Sequence, residues 1–197
     1  MTVWGILAGG RGRRFGEPKV TAKFLDQTFL DLILERVSSC ARPGDRVVIS
    51  VAHGDPEDVE SLVAVRKDEI PIELIRDLAQ DPGPAHAVGT LAHLAATTGD
   101  CLVTVAVDQI RVVPEDLDAL RDAAEFHPHS VSVACGADGR HWVFAAVPSG
   151  MAAKISRDAE SVNSLQGLYI LNAINDVAVN PDSLVDVNTR DLLPPSD

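Results

Sequence analysis

The sequence predicts an α/β fold, a doubly wound and mostly parallel β-sheet with an antiparallel edge strand. Apolar, strand-like runs alternate with amphipathic helical segments along the chain, which favours parallel strands joined by crossover helices. The first run, residues 3–8, is apolar and stops at Gly9 and Gly10, as is typical of a strand buried on both faces. Two later strands are separated by only a short glycine-containing loop, which predicts a hairpin.

The first half of the chain is predicted to begin with the central strand and a crossover helix. That helix places Phe29, Leu32, Ile33 and Val37 at helical spacing and is closed by a Pro-Gly pair. Strands are expected at residues 3–8, 46–52 and 70–75. Helices are expected at residues 26–40 and, after a turn at 53–56, through residue 62.

The second half continues the alternation and contains the predicted hairpin. Pro114 opens a helix whose first turn is acidic, where the helix dipole favours negative charge. Strands are expected at residues 101–107, 130–135 and 142–147, the last two joined through residues 136–139. Helices are expected at residues 84–96, from 114 onward, and at 149–155 and 161–173.

Composition limits the partners that the protein can have. The chain has 197 residues, of which 46% are apolar, and we expect one domain over residues 1–193 with a tail at 194–197. A formal net charge of -12 disfavours nucleic acid. Basic residues are nevertheless concentrated near the N-terminus, which predicts a small anionic ligand. They are Arg11, Arg13, Arg14, Lys19 and Lys23.

The cellular setting is predicted from the cysteines and from the absence of long apolar runs. Cys40, Cys101 and Cys135 are widely spaced and odd in number, so neither a disulfide framework nor a zinc site is indicated. The sequence lacks both a signal-peptide pattern and the roughly 20 apolar residues needed to span a bilayer. We expect a cytoplasmic protein without membrane contacts, either a monomer or a small homo-oligomer.

The glycine-rich loop after the first strand is the strongest functional signal. Its glycines allow successive backbone N–H groups to point into one concavity, which suits phosphate oxygens. Arg14 and Lys19 can neutralise phosphate charge. The loop fits neither the GxxxxGK[ST] pattern nor the GxGxxG dinucleotide pattern.

Two carboxylates are expected at the carboxyl edge of the sheet, where ligands bind in open α/β folds. Asp108 directly follows a strongly apolar strand, and Asp77 follows the strand at residues 70–75 in the same way. A single carboxylate can anchor Mg²⁺, because Mg²⁺ takes its other oxygens from water and substrate phosphates. We therefore predict Asp108 as the metal ligand, the alternative being an aspartate that only caps the next turn.

The loop Leu7-Ala8-Gly9-Gly10-Arg11-Gly12-Arg13-Arg14-Phe15-Gly16-Glu17-Pro18-Lys19 resembles the LAGGxSxRMGxDK signature of the molybdenum cofactor guanylyltransferase (MobA-like) family of nucleotidyltransferases. The similarity extends over nearly the whole chain. Further segments resemble the family's RD, GPLAG, DMP and NVNT motifs: Arg76-Asp77, Gly83-Pro84, Val107-Asp108 and Asp186-Val187-Asn188-Thr189.

The resemblance implies a Rossmann-like sheet of the nucleotide-diphospho-sugar transferase type. It also implies an Mg²⁺-dependent enzyme that transfers GMP from GTP to the terminal phosphate of molybdopterin and releases pyrophosphate. By this resemblance Arg14, Lys19 and Asp108 are catalytic, Asp108 binds the metal, and Asn188 lines the pterin side. The nucleotide-contacting residues implied are Leu7, Ala8, Gly9, Gly10, Lys19, Asp77 and Gly83.

Some positions depart from the family pattern. Gln109 and Arg111 stand within the DMP motif, Asp186 replaces the first Asn of NVNT, and Asn163 stands where the family carries a basic residue. Arg111 and Asp186 are expected to change the charge around the site, which leaves the acceptor open to another phosphorylated small molecule. The alternatives are a cytidylyl- or sugar-phosphate nucleotidyltransferase, and a nucleotide-binding module that has lost catalysis.

Overall fold

The computed structural model describes residues 1–9, 18–51, 59, 71–76, 83–189 and 192–193. These residues form nine strands and five α-helices, with 3₁₀ turns at Ala159–Ser161 and Pro181–Leu184. The strands are β1 Thr2–Leu7, β2 Lys23–Phe24, β3 Gln27–Thr28, β4 Arg46–Val51, β5 Ile72–Arg76, β6 Cys101–Ala106, β7 Val131–Gly136, β8 Gly139–Val147 and β9 Ile174–Ala178. The helices are α1 Phe29–Cys40, α2 Pro84–Thr98, α3 Pro114–Phe126, α4 Ser149–Asp158 and α5 Leu165–Tyr169.

Seven of these strands form one sheet, in the order β5-β4-β1-β6-β8-β7-β9. β1 lies at its centre and pairs in parallel with β4 and β6, as the apolar run at residues 3–8 predicts. β8 runs antiparallel to both of its neighbours, and β9 is parallel to β7. The predicted fold class is confirmed, but the antiparallel strand β8 lies inside the sheet because β6 and β7 pair with its two edges.

Helices cover both faces of the sheet, and β1 contributes to the apolar core on each side. Trp4 and Ile6 pack with residues of α1 and α3, whereas Val3 and Leu7 pack with residues of α2 and α4. A Cβ added at Gly5 would lie 2.8 Å from a side-chain carbon of Leu91. This close approach of α2 fixes the helix against the centre of the sheet.

The first crossover helix begins three residues later than the predicted segment at 26–40. Thr28 accepts a hydrogen bond from the Asp31 N–H at 3.0 Å, and the Asp31 carboxylate accepts one from the Thr28 N–H at 2.9 Å. This reciprocal capping box starts α1 at Phe29. The preceding residues form the small β2–β3 hairpin, which the sequence analysis did not predict, with Leu25 at a positive φ of 54°.

The helix predicted at residues 161–173 is wrong. The Ser164 side chain accepts from the Gly167 N–H and caps a helix of only five residues, α5. The chain then enters β9, which pairs in parallel with β7 from Ile174 to Ala178. The predicted turn at 53–56 and the tail at 194–197 lie outside the described residues. In the part of the chain that is described, no helix is long and apolar enough to cross a bilayer.

Candidate active site

The ends of β1 and β6 bring two predicted segments to the same edge of the sheet. Their parallel pairing extends to Leu7 and Ala106, and the Val107 N–H continues it by donating to the Leu7 carbonyl at 3.0 Å. Gly9 therefore leaves the sheet beside Asp108. Leu7 and Ala8 are buried, so a ligand at this edge meets the exposed Gly9 more directly than either of these side chains.

Lys19 reaches this edge from a short turn that is anchored in the core. The N–H groups of Thr21 and Ala22 donate to the Pro18 carbonyl at 3.1 and 3.0 Å, and Val20 and Ala22 are buried. The Lys19 ammonium forms an ion pair with the Asp108 carboxylate. The two side chains are only 17% and 11% exposed, so water screens this pair far less than an ion pair on the open surface.

Asn188 completes a group of three predicted site residues. Lys19 Nζ donates to Asn188 Oδ1 at 2.6 Å, so an amide oxygen and a carboxylate oxygen contact the same ammonium. The Val187 N–H donates to the Asp108 carbonyl at 2.9 Å and holds the Asn188 segment against the end of β6. Lys19, Asp108 and Asn188, distant in sequence, thus meet at one point.

A second carboxylate lies beside this group. Asp186 is linked to it through the backbone, because its carbonyl accepts from the Asn188 N–H at 2.9 Å. Its Oδ1 is buried and receives no hydrogen bond from the residues that the structure describes. Burial, and then the negative charge of Asp108, raise the pKa of Asp186, while Lys19 and His141 act in the opposite direction.

The amino-acid sequence also matches the model of a known protein family. Residues 4–171 match the model described as the MobA-like NTP transferase domain, which covers most of the chain. The chain belongs to this family. It is a MobA-like nucleotidyltransferase, as the glycine-rich loop and the motifs that follow it predict.

Individual relatives agree with this assignment. A Bacillus cereus protein named probable molybdenum cofactor guanylyltransferase is 25% identical over 194 residues, covering 94% of this chain and 90% of that protein. A solved molybdopterin-guanine dinucleotide biosynthesis protein A from Archaeoglobus fulgidus has a TM-score of 0.72 at 20% identity, with 98% of this chain and 95% of that chain covered. A Mycobacterium tuberculosis protein solved in complex with manganese has a TM-score of 0.64 at 17% identity, with 98% and 97% covered.

Gln109 and Arg111, the departures that follow Asp108, each form a hydrogen bond with a backbone group. The Gln109 side chain is fully buried, and its Oε1 accepts from the Ala106 N–H at 3.0 Å, which closes the turn that carries Asp108. Arg111 donates to the Leu192 carbonyl at 2.7 Å and lies 3.9 Å from Asp182. Its guanidinium therefore binds the C-terminal segment. The sequence alone could not reveal this contact.

Asp186 does change the charge around the site, as the NVNT departure predicts. His141, on the β7–β8 hairpin, acts to lower the pKa of Asp186, and its Nε2 lies 3.3 Å from Asp138 Oδ1. A Cβ added at Gly136 would lie 2.5 Å from Leu184, so the hairpin packs closely against the segment that leads to Asp186. No local pattern in the sequence indicates that His141 lies near Asp186.

Gly83 begins α2 at the same edge of the sheet. Its φ of 79° and ψ of 167° suit glycine, and the helix start has no side-chain cap. The backbone carbonyl of Asn163 would lie 3.0 Å from an added Cβ, so the segment carrying Asn163 packs against this turn. Of the other predicted site residues, Gly10, Arg14 and Asp77 lie outside the described residues.

Proposed function

We propose that this chain transfers GMP from GTP to the terminal phosphate of molybdopterin, with release of pyrophosphate and with Mg²⁺ as the metal. The observation that carries the proposal is the meeting of Lys19, Asp108 and Asn188 at the carboxyl ends of β1 and β6. The names of relatives such as the Bacillus cereus protein support the choice of nucleotide and acceptor.

In the proposed reaction, an oxygen of the acceptor phosphate attacks the α-phosphorus of GTP. The bond between that phosphorus and the oxygen bridging to the β-phosphate breaks, and pyrophosphate leaves with the bonding electrons. This chemistry requires alignment and charge neutralisation rather than a protein nucleophile. No residue of the chain becomes covalently modified in the proposal.

The residues at the sheet edge can supply both requirements. Gly9 is exposed beside Asp108 and lets the triphosphate approach the backbone. The ammonium of Lys19 can offset negative charge on the leaving pyrophosphate. Gly83 and the N-terminal turn of α2 would line the nucleotide, and the family resemblance adds Gly10, Arg14 and Asp77.

The donor set fits Mg²⁺. The carboxylate of Asp108 and the amide oxygen of Asn188 are hard oxygen donors that already share one cation, the Lys19 ammonium. Within the described ranges, no group of three His, Cys, Asp or Glu side chains could hold a metal. Such a site suits an ion that takes further oxygens from phosphate and water, and Mg²⁺ when bound would polarise the transferred phosphoryl group.

The test is pyrophosphate release by the purified protein with Mg²⁺ and each of GTP, CTP, ATP and UTP, with and without molybdopterin. Release that requires GTP and molybdopterin together supports the proposal. Release with CTP would favour the cytidylyltransferase alternative. GTP binding without release under any condition would favour the binding module.

Matched variants connect the activity to the proposed site. Asp108→Asn and Lys19→Ala are each expected to lower the rate by about 10²–10³, the usual effect of removing one transition-state contact. Asp26→Asn and Lys154→Ala make the same chemical changes at exposed positions outside the basic cluster and should leave the rate unchanged. Equal activity of the Asp108 and Asp26 variants would contradict the proposed site.

A further inference from the structure

The contacts of Lys19 imply a relation between this side chain and the metal. Its ammonium contacts a carboxylate oxygen of Asp108 and, at 2.6 Å, the amide oxygen of Asn188. Two side-chain oxygens from separate segments therefore converge on one positive centre. Both Lys19 and Asp108 are largely shielded from water, so the ammonium provides the principal neutralisation of the Asp108 charge.

A divalent cation needs the same oxygens. Mg²⁺ binds oxygen ligands at about 2.0–2.1 Å in near-octahedral geometry, so it requires lone pairs that the ammonium now uses. The two positive centres also repel each other at such a separation. Lys19 and the cation therefore cannot both make close contact with this pair of oxygens.

We propose that the Lys19 ammonium is an internal competitor of the divalent cation for the oxygens of Asp108 and Asn188. The inference rests on the proposed function, since it places Mg²⁺ at the oxygens from which Lys19 withdraws. It also gives Asn188 a role on the metal side rather than only on the pterin side.

The charges around the site strengthen the competition. When Lys19 turns toward another anion, Asp108 loses its ion-pair partner. Asp186 adds a second carboxylate, whose buried Oδ1 receives no hydrogen bond within the described part of the chain. Withdrawal of the ammonium thus leaves a concentrated negative potential that attracts a divalent cation.

The triphosphate provides such an anion. Its oxygens attract the Lys19 ammonium, and each step that draws Lys19 away from Asp108 favours the cation. By linkage, the nucleotide and the cation then strengthen each other's binding by the same factor. Cation binding in the absence of nucleotide is expected to be weak.

The direct test measures Mn²⁺ binding without nucleotide, by the electron paramagnetic resonance signal of free Mn²⁺. Lys19→Met removes the ammonium but keeps the length of the side chain. It should bind Mn²⁺ about tenfold more tightly than the wild type, since a hydrogen bond to a charged group commonly contributes at least that factor. Lys154→Met, at an exposed position on α4, should bind Mn²⁺ as the wild type does.

A second substitution in the same background locates the bound ion. Adding Asp108→Asn to Lys19→Met should abolish the gain, and thermal unfolding of each variant verifies that it is folded. Equal Mn²⁺ affinity of Lys19→Met and the wild type would overturn the proposal. A gain that survives Asp108→Asn would also overturn it.

The coupling to nucleotide is tested by the ratio of GTP affinities with and without Mg²⁺. Chelation of Mg²⁺ by GTP in solution is the same for every variant, so it does not affect the comparison. Mg²⁺ should raise the GTP affinity of the wild type by a larger factor than that of Lys19→Met, because only the wild type has the competing ammonium. Equal ratios would contradict the competition. Because the Mn²⁺ experiment contains neither GTP nor acceptor, its failure is distinguishable from a failure of the guanylyltransferase reaction.

Discussion

Gly83 offers a quantitative test of how the start of α2 is built. Its φ of 79° and ψ of 167° lie in a region that is essentially restricted to glycine. A Cβ there would also lie 3.0 Å from the Asn163 carbonyl, an atom of the backbone that cannot rotate away. We expect Gly83→Ala to cost about 1–3 kcal/mol of stability from the backbone conformation alone.

Gly99 provides the matched control because it ends the same helix. Its φ of 73° and ψ of 23° are left-handed, but an added Cβ would meet no atom within 4 Å. Gly99→Ala should therefore cost only about 1 kcal/mol, the ordinary penalty of alanine at a left-handed position.

Thermal unfolding of both variants distinguishes strain from a general effect of alanine. At about 2–4 °C per kcal/mol for a chain of this size, the backbone conformation alone should make Gly83→Ala lower Tm by roughly 2–12 °C. The contact with the Asn163 carbonyl adds to that loss, whereas Gly99→Ala should lower Tm by only about 2–4 °C. Gly83→Ala should also weaken GTP binding, whereas Gly99→Ala lies at the far end of α2 and should not. An equal loss of stability in the two variants would refute this description of the turn.

Two further predictions concern stability. Burial raises the pKa of Asp186 in the folded protein, so its ionisation at neutral pH costs stability. Asp186→Asn should therefore raise Tm at pH 7 in metal-free buffer, and this gain should shrink as the pH falls through the raised pKa and be absent below about pH 4. A constant gain at all pH values would contradict that origin. Thr28→Ala removes the capping box of α1 and should lower the free energy of unfolding, measured in urea, by about 1 kcal/mol. Thr97→Ala, at an exposed position in α2, should lower it by less.

The central part of the fold was predictable because burial on both faces leaves a clear trace in sequence. β1 and β6 are continuous apolar runs, and the structure places both at the middle of the sheet. β9 was not predictable in the same way, because its five residues are half-buried or exposed and include Asn175 and Asp176. The polar cap at Ser164, rather than apolar periodicity, determines where α5 begins.

The candidate site was predictable where chemistry coincides with a strand end. Asp108 follows β6, and the motif resemblance added Lys19 and Asn188, which the structure brings into contact. The hydrogen-bond partner of the Arg111 side chain was not predictable, since it is a backbone carbonyl 81 residues away. Long-range contacts of this kind leave no local pattern in the sequence.

The most direct test of the central claim is label transfer in a single turnover. The protein is mixed with GTP labelled at the α-phosphate, Mg²⁺ and molybdopterin, and the product is examined for label attached to the pterin. We predict that the wild type and Asp26→Asn transfer the label to molybdopterin and that Asp108→Asn transfers it about 10²–10³ times more slowly. Absence of labelled pterin with the wild type, or equal rates in the two variants, would contradict the account.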